Sequence, residues 1–431
     1  MKLHARHIFI ILIVVSATIV STFSLIKHGV LTTADSESYI NAFNVYYSGG
    51  IDKFRTPIYP IFIGIIRYVF GQQYYTLAII IIQHLLFIIS LPFFFILSER
   101  ILRSTLPSII LSVALVFAVE FANWNNYIMT ESLSTSLFIL LLFSLFTLIE
   151  SPSVLKFCSC LICSVIVLLL RPAFIYLIPA FALFFIILIL CKKEKKASAF
   201  YCLAVSSSLI IVTTAYFIAF HSLYGVYAFS NVSTVNKYYT LRQNGLIDTS
   251  NSSNQALVAD IEYFKKVNGE TNKFIRGTYY EIQTLDSIYP LKDIDEIITT
   301  SISRNKAKCV SLVLDRFRLA VTDYDTIAIS FKSIIKNKII YVYSVLLLAS
   351  IIIIWGFIRR KKTNAILLIL YTLAMGHFFV TFIGAQGDWH RLFEPAMPVM
   401  LLLAGILFVD YIKPFLIRSR ERNRRDVVST R

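Results

Sequence analysis

Ten stretches of this chain are apolar over roughly the length a helix needs to cross a bilayer, which is about 20 residues. They cover 8–26, 77–97, 105–122, 132–149, 155–170, 173–191, 200–220, 338–358, 364–383 and 392–412. Charged residues make up only 15% of the 431 positions, against 57% hydrophobic. A water-soluble domain keeps about 25% charged residues to face solvent. The expectation is an all-α polytopic membrane protein with about ten transmembrane helices. The stretch 58–70 is too short to span and carries Arg67, which predicts an interfacial helix in the first outer loop.

Charge placement predicts the orientation, because cytoplasmic loops carry excess Lys and Arg next to the membrane. Lys2 and Arg6 precede the first run, and Arg100 and Arg103 follow the second. Lys192, Lys193, Lys195 and Lys196 form another basic turn, as do Arg359, Arg360, Lys361 and Lys362. A tail with Arg418, Arg420, Arg422, Arg424 and Arg425 closes the chain. Ten spans with both termini cytoplasmic put all of these on one side. The formal charge of +16 then reads as a topology signal, not as a nucleic-acid-binding surface. The first run is longer than the core of a secretory signal and reads as an uncleaved helix. An Ile- and Lys-rich composition leans bacterial, and so toward the plasma (inner) membrane.

Cys158, Cys160, Cys163 and Cys202 fall in apolar runs, Cys191 at a cytoplasmic end, and only Cys309 outside. That pattern is no disulfide framework, and thiols in lipid without His or carboxylate company read as packing.

Three parts follow from this layout. Residues 1–220 form a membrane module of seven spans with a first outer loop at 27–76. Residues 221–337 form an outer subdomain, and 338–431 supply three spans and the basic tail. The outer subdomain carries 14 Lys and Arg against 12 Asp and Glu. Stretches 257–268 and 294–321 have helix-compatible apolar spacing, interrupted by the polar segment 248–255. A small, mainly helical unit is expected there. Asn231 and Asn251 begin N-x-Ser patterns of the N-glycosylation type.

Under this topology, ionisable residues far apart in sequence meet at one membrane face. Asp35 follows the first span, Glu131 opens the fourth, Arg171 precedes Pro172 at an outer end, and Trp389, His390 and Arg391 precede the last span. Ionisable groups at membrane depth are costly, so such a set is a functional candidate. The chemistry it suits is transfer of a group from a phosphate-linked donor. A carboxylate such as Asp35 accepts a proton from an incoming hydroxyl. Guanidinium groups of Arg55, Arg171 and Arg391 suit a departing phosphate. Glu131 suits orienting the acceptor or holding a divalent metal ion. Tyr39, Tyr59, Tyr74 and Trp389 suit stacking on sugar rings or anchoring at the interface.

Taken in order, Asp35-Ser-Glu-Ser-Tyr39, Arg55-Thr-Pro-Ile-Tyr-Pro60, Thr130-Glu131-Ser132, Arg171-Pro172 and His390-Arg391 with Pro395 and Pro398 resemble a known pattern. It is that of GT-C type glycosyltransferases that use polyprenyl-phosphate-linked sugars, such as protein O-mannosyltransferases and aminoarabinose transferases of lipid A. The resemblance covers about 1–190 and, loosely, the last two spans; 221–337 carries no recognisable motif. It implies a catalytic aspartate at Asp35, with Glu131 in support and His390 joining the arginines at the donor phosphate. It also implies inverting transfer on the outer face to a lipid, glycan or protein hydroxyl. Many relatives carry Asp-Glu as neighbours, whereas Ser36 here separates Asp35 from Glu37, which leaves Glu37 a substrate contact and metal dependence open. Two other readings stay open. A surface-polysaccharide polymerase or ligase would use loop arginines such as Arg242, Arg276, Arg304, Arg316 and Arg318. A lipid-linked sugar transporter would use polar groups inside spans, of which Gln83-His84 is the chief pair.

Overall fold

The computed structural model describes residues 2–120, 123–191, 195–271, 275–322, 338–358, 364–384 and 392–414. Among the described residues all regular structure is helical, and one isolated bridge joins Leu31 and Tyr127. The membrane module comprises α1 (Lys2–His28), α2 (Ala34–Tyr47), α3 (Ile58–Leu102), α4 (Thr105–Glu120), α5 (Thr130–Glu150), α6 (Val154–Leu170), α7 (Leu177–Cys191) and α8 (Lys196–Tyr224). Five helices follow outside it: α9 (Val232–Gln243), α10 (Gln255–Asn268), α11 (Ile275–Ile288), α12 (Leu291–Arg304) and α13 (Lys306–Thr322). The chain returns to apolar helices with α14 (Lys338–Ile358), α15 (Ala365–Gly384) and α16 (Met397–Ile406), the last running on into a π-helical turn, Leu407–Ile412.

Six of the described helices are long and apolar enough to cross a membrane, and four shorter apolar ones cover Thr105–Val119, Val154–Leu170, Tyr343–Gly356 and Ala365–Thr381. The surface of α1 shows why the solvent is lipid. Ile13, Ala17, Ser21 and Ser24 recur at helical spacing and are buried against the protein. The opposite stripe, Ile8, Ile11, Val15, Ile19, Phe23 and Ile26, is apolar too and fully outward. An aqueous surface helix would make that stripe polar. One core runs through the module from α1 to α8 and on to the C-terminal helices, with Phe87, Phe94, Phe138, Phe181 and Phe184 wholly buried.

The stretch 58–70 is helical as expected, but it belongs to one element with the following span, kinked at Gly71. Gly71 has φ +75°, a left-handed backbone that an L side chain disfavours. The short arm before the kink leaves Ile61, Ile65, Tyr68, Val69 and Phe70 outward and packs its other face on α2. At Gly64 that packing is tight enough that a Cβ would lie 1.9 Å from the Phe43 ring.

Helices α9 to α12 have their own core of Val235, Tyr238, Leu241, Leu257, Ile261, Ile282, Leu285, Ile294 and Ile298. The polar stretch 248–255 is largely non-helical, as its composition predicts, and Asn254 caps α10 by accepting from the Leu257 N–H at 3.0 Å. The helix-compatible stretch 294–321 is covered by two helices, α12 and α13, with a break at Asn305. There the side-chain amide donates to the Ser301 carbonyl at 3.0 Å and the backbone leaves the helix.

Candidate functional site

Asp35 stands in the first turn of α2. Thr33 starts that helix: its N–H donates to Ser36 Oγ at 3.0 Å, while the Ser36 N–H donates back to the Thr33 carbonyl at 3.0 Å. A carboxylate in a first turn is favoured by the helix dipole. Asp35 Oδ1 receives Arg55 Nη2 at 2.6 Å. Arg55 also donates through Nε to Ser38 Oγ at 2.5 Å, and its Cζ lies 4.1 Å from the centre of the Tyr39 ring. Three groups of α2, one helical turn apart, thus hold one guanidinium. Burial works against the Arg55 charge, but Tyr39 and Asp35 outweigh it and the net direction is upward, so Arg55 stays cationic.

The second pair lies deeper. The opening of α5 is polar yet buried, with Thr130, Glu131, Ser132, Ser134, Thr135 and Ser136 all inside. Thr135 and Ser136 return their hydroxyls to the carbonyls of Glu131 and Ser132 at 2.9 and 3.1 Å. Glu131 Oε1 lies 3.5 Å from Arg171 Nη1, at the end of α6, and both side chains are at most 9% exposed. Among the described residues the Arg171 guanidinium donates no hydrogen bond, and that one loose ion pair is its only charge contact.

The two pairs adjoin. Thr56, next to Arg55, donates through Oγ1 to the carbonyl of Leu170, next to Arg171, at 3.2 Å. Tyr59 is wholly buried, edge-on to Tyr39 with ring centres 5.0 Å apart, so it supports the Tyr39 ring from behind. No family model and no curated protein matches the chain. What its site can do therefore rests on these residues.

Sequence reasoning missed the frame behind them. Tyr59 donates to Gln83 Oε1 at 2.7 Å, and Gln83 Nε2 donates to the carbonyls of Asn125 and Tyr127 at 3.2 and 2.9 Å. Asn125 Oδ1 receives Ser132 Oγ at 2.5 Å. Asn126 receives Ser24 Oγ at 2.8 Å and donates to the Gly29 carbonyl at 2.9 Å. The end of α1, the arm of α3 and the start of α5 are thereby locked together around the site. Two adjacent asparagines in an apolar neighbourhood were the available signal. Glu394 was also missed: it is fully buried in the turn before α16, which packs on α5. Beside it His377 contacts the Leu392 carbonyl at 2.9 Å. Trp389, His390 and Arg391 lie outside the described residues.

Other candidates fall elsewhere. Glu37 points outward and Tyr74 is exposed on the arm's far side of the kink. Asn231 is buried, which removes it as a glycan acceptor in the folded chain, and Asn251 accepts from Arg304 Nη2 at 2.8 Å. Of the loop arginines, Arg242 is wholly buried in hydrogen bonds and Arg304 is engaged by Asp248 at 2.7 Å. As for a divalent cation, no three His, Cys, Asp or Glu side chains come together among the described residues. Asp35 and Glu131 each face a guanidinium.

Proposed function

We propose that the chain is a GT-C type membrane glycosyltransferase that moves a sugar from a polyprenyl-phosphate donor to a hydroxyl of a lipid, glycan or protein. The reading includes ten spans, the four shorter apolar helices among them, with both termini cytoplasmic and the site at the outer face of the plasma membrane. The observation that carries it is the buried Arg171 guanidinium, which among the described residues has a single, loose ion pair. A buried cation so poorly matched is costly unless an anion joins it. The phosphodiester of a polyprenyl-phosphate sugar at the membrane surface fits that need, with its isoprenoid tail left in hydrocarbon.

In this mechanism the acceptor hydroxyl gives its proton to the Asp35 carboxylate while its oxygen bonds to the anomeric carbon. The bond from that carbon to the phosphate oxygen breaks, and polyprenyl phosphate leaves with the electron pair. Attack opposite the leaving group inverts the anomeric centre. Arg55 and Arg171, with Arg391 and His390, receive the charge that develops on the phosphate. Arg55 has a second duty in the resting site, where it holds Asp35 at 2.6 Å. A phosphate that draws off the Arg55 fork frees the carboxylate to accept the proton. Tyr39, over Arg55, offers a ring face to a sugar.

Asp35→Asn keeps the size of the side chain and a hydrogen-bonding oxygen but removes its basicity. Transfer is expected to fall about 10²–10⁴-fold with folding unchanged, measured on purified protein in lipid. Near-normal transfer by the Asn variant takes Asp35 out of the reaction.

A further inference from the structure

Arg55 sits on a non-helical link between α2 and α3, and part of what fixes that link comes from far away in sequence. Tyr224, at the end of α8, donates its hydroxyl to the Ile51 carbonyl at 2.6 Å. The N–H of Asn231, leading into α9, donates to the Lys53 carbonyl at 2.7 Å. Lys53 Nζ reaches Asp286 of α11, 2.7 Å from Oδ1 and 3.0 Å from its backbone carbonyl. Lys53 is therefore gripped at both its carbonyl and its ammonium by the outer subdomain.

We infer that Lys53 and Asp286 are positioning residues through which the outer subdomain sets where Arg55 stands, an inference that rests on Arg55 gripping the donor phosphate. Arg55 lies two positions after Lys53, at most about 7 Å of chain away. The link between them is stiff, because Asp52 Oδ1 accepts from the N–H groups of Phe54 and Arg55 at 2.8 and 2.7 Å. Tyr46 adds its hydroxyl to the Arg55 carbonyl. A shift at Lys53 thus reaches the guanidinium. At the other end Asp286 cannot drift, since its neighbours Ile282 and Leu285 are buried in the subdomain core and its own side chain is 5% exposed. An exposed ion pair would add little, but a buried carboxylate that loses its cationic partner must move or open the seam. The outer subdomain carries no group of the proposed reaction, and this contact gives it one: it braces the phosphate grip.

The test uses full-length protein in lipid nanodiscs: wild type, Lys53→Glu, Asp286→Lys and the swapped double variant. Hydrogen exchange is followed on the segment 52–57, with 235–247 of the subdomain core as a control. Carrier affinity is measured with undecaprenyl phosphate alone. Each single variant is expected to speed exchange at 54–55 and weaken carrier binding about tenfold, the scale of one charge-assisted hydrogen bond. The control segment stays protected, and the swap restores both readouts. Unchanged exchange in the single variants overturns the positioning role. Faster exchange with unaltered carrier affinity overturns its link to the donor. Should wild type itself not bind the carrier, the transferase reading fails, and the exchange data alone decide whether the subdomain holds Arg55.

Discussion

Among the described residues two arginine–glutamate pairs are buried, and they are finished to different degrees. Arg242 and Glu281, in the outer subdomain, are both 0% exposed. Arg242 donates to Glu281 through Nε at 2.9 Å and Nη2 at 3.3 Å, and to the carbonyls of Phe264, Gly269 and Glu270 at 3.1, 2.9 and 2.8 Å. All five of its N–H donors are used. Asn268 adds a further bond to Glu281 at 2.7 Å. Arg171 and Glu131, by contrast, meet only at 3.5 Å. The first arrangement leaves nothing for a ligand and ties three helices together. The second leaves the Arg171 guanidinium with no hydrogen bond among the described residues, at the end of α6. Burial of charge alone does not distinguish a brace from a binding group; the count of satisfied donors does.

The largest effect expected from this contrast is at Arg242. Arg242→Leu strands Glu281 in the subdomain core, and removing one partner of a buried pair costs about 3–5 kcal/mol. Limited proteolysis should then cut within 232–304 at temperatures where wild type resists. Arg171→Lys probes the opposite case. It keeps the charge but loses the planar fork, so carrier affinity should fall about 10–100-fold while the melting temperature barely moves. Equal destabilisation by the two substitutions would erase the distinction between them.

The smallest effect is at the rim of the same subdomain. Hydrogen bonds from Ser250, with help from Arg304, lower the Asp248 carboxyl from its ordinary 3.8 to about 2. A lowered carboxyl contributes stability that is fully present above its unfolded value and lost as pH falls through its folded one. A shallow drop in subdomain stability is therefore expected between about pH 4 and pH 2, and Asp248→Asn should flatten it, as followed by thermal unfolding in detergent.

What was legible in the sequence divides along the same physical line. Apolar runs announce helices because lipid leaves the backbone no other partner than itself. Asp35, Arg55, Glu131 and Arg171 stood out because charges beside such runs are costly. The pairing of Arg55 with Asp35 and of Arg171 with Glu131 did not, since nothing local says which acid meets which base. Gln83, part of a polar pair inside an apolar run, and Asn126, in a short turn between runs, frame the site, and neutral amides reveal such partners only in three dimensions. The break at Asn305 was hidden by apolar spacing that continues across it. Arg242 was read as a ligand-binding candidate from its place in a large loop, and its five buried bonds could not be seen from there.

The central claim is that the site transfers a sugar and does not carry it across the membrane. Purified protein in lipid vesicles is given a labelled polyprenyl-phosphate sugar and a cell-envelope extract. The account predicts release of free polyprenyl phosphate together with a labelled glycoside on an acceptor, both lost in Asp35→Asn. Movement of the intact donor between leaflets with no new glycoside would contradict it and identify a transporter.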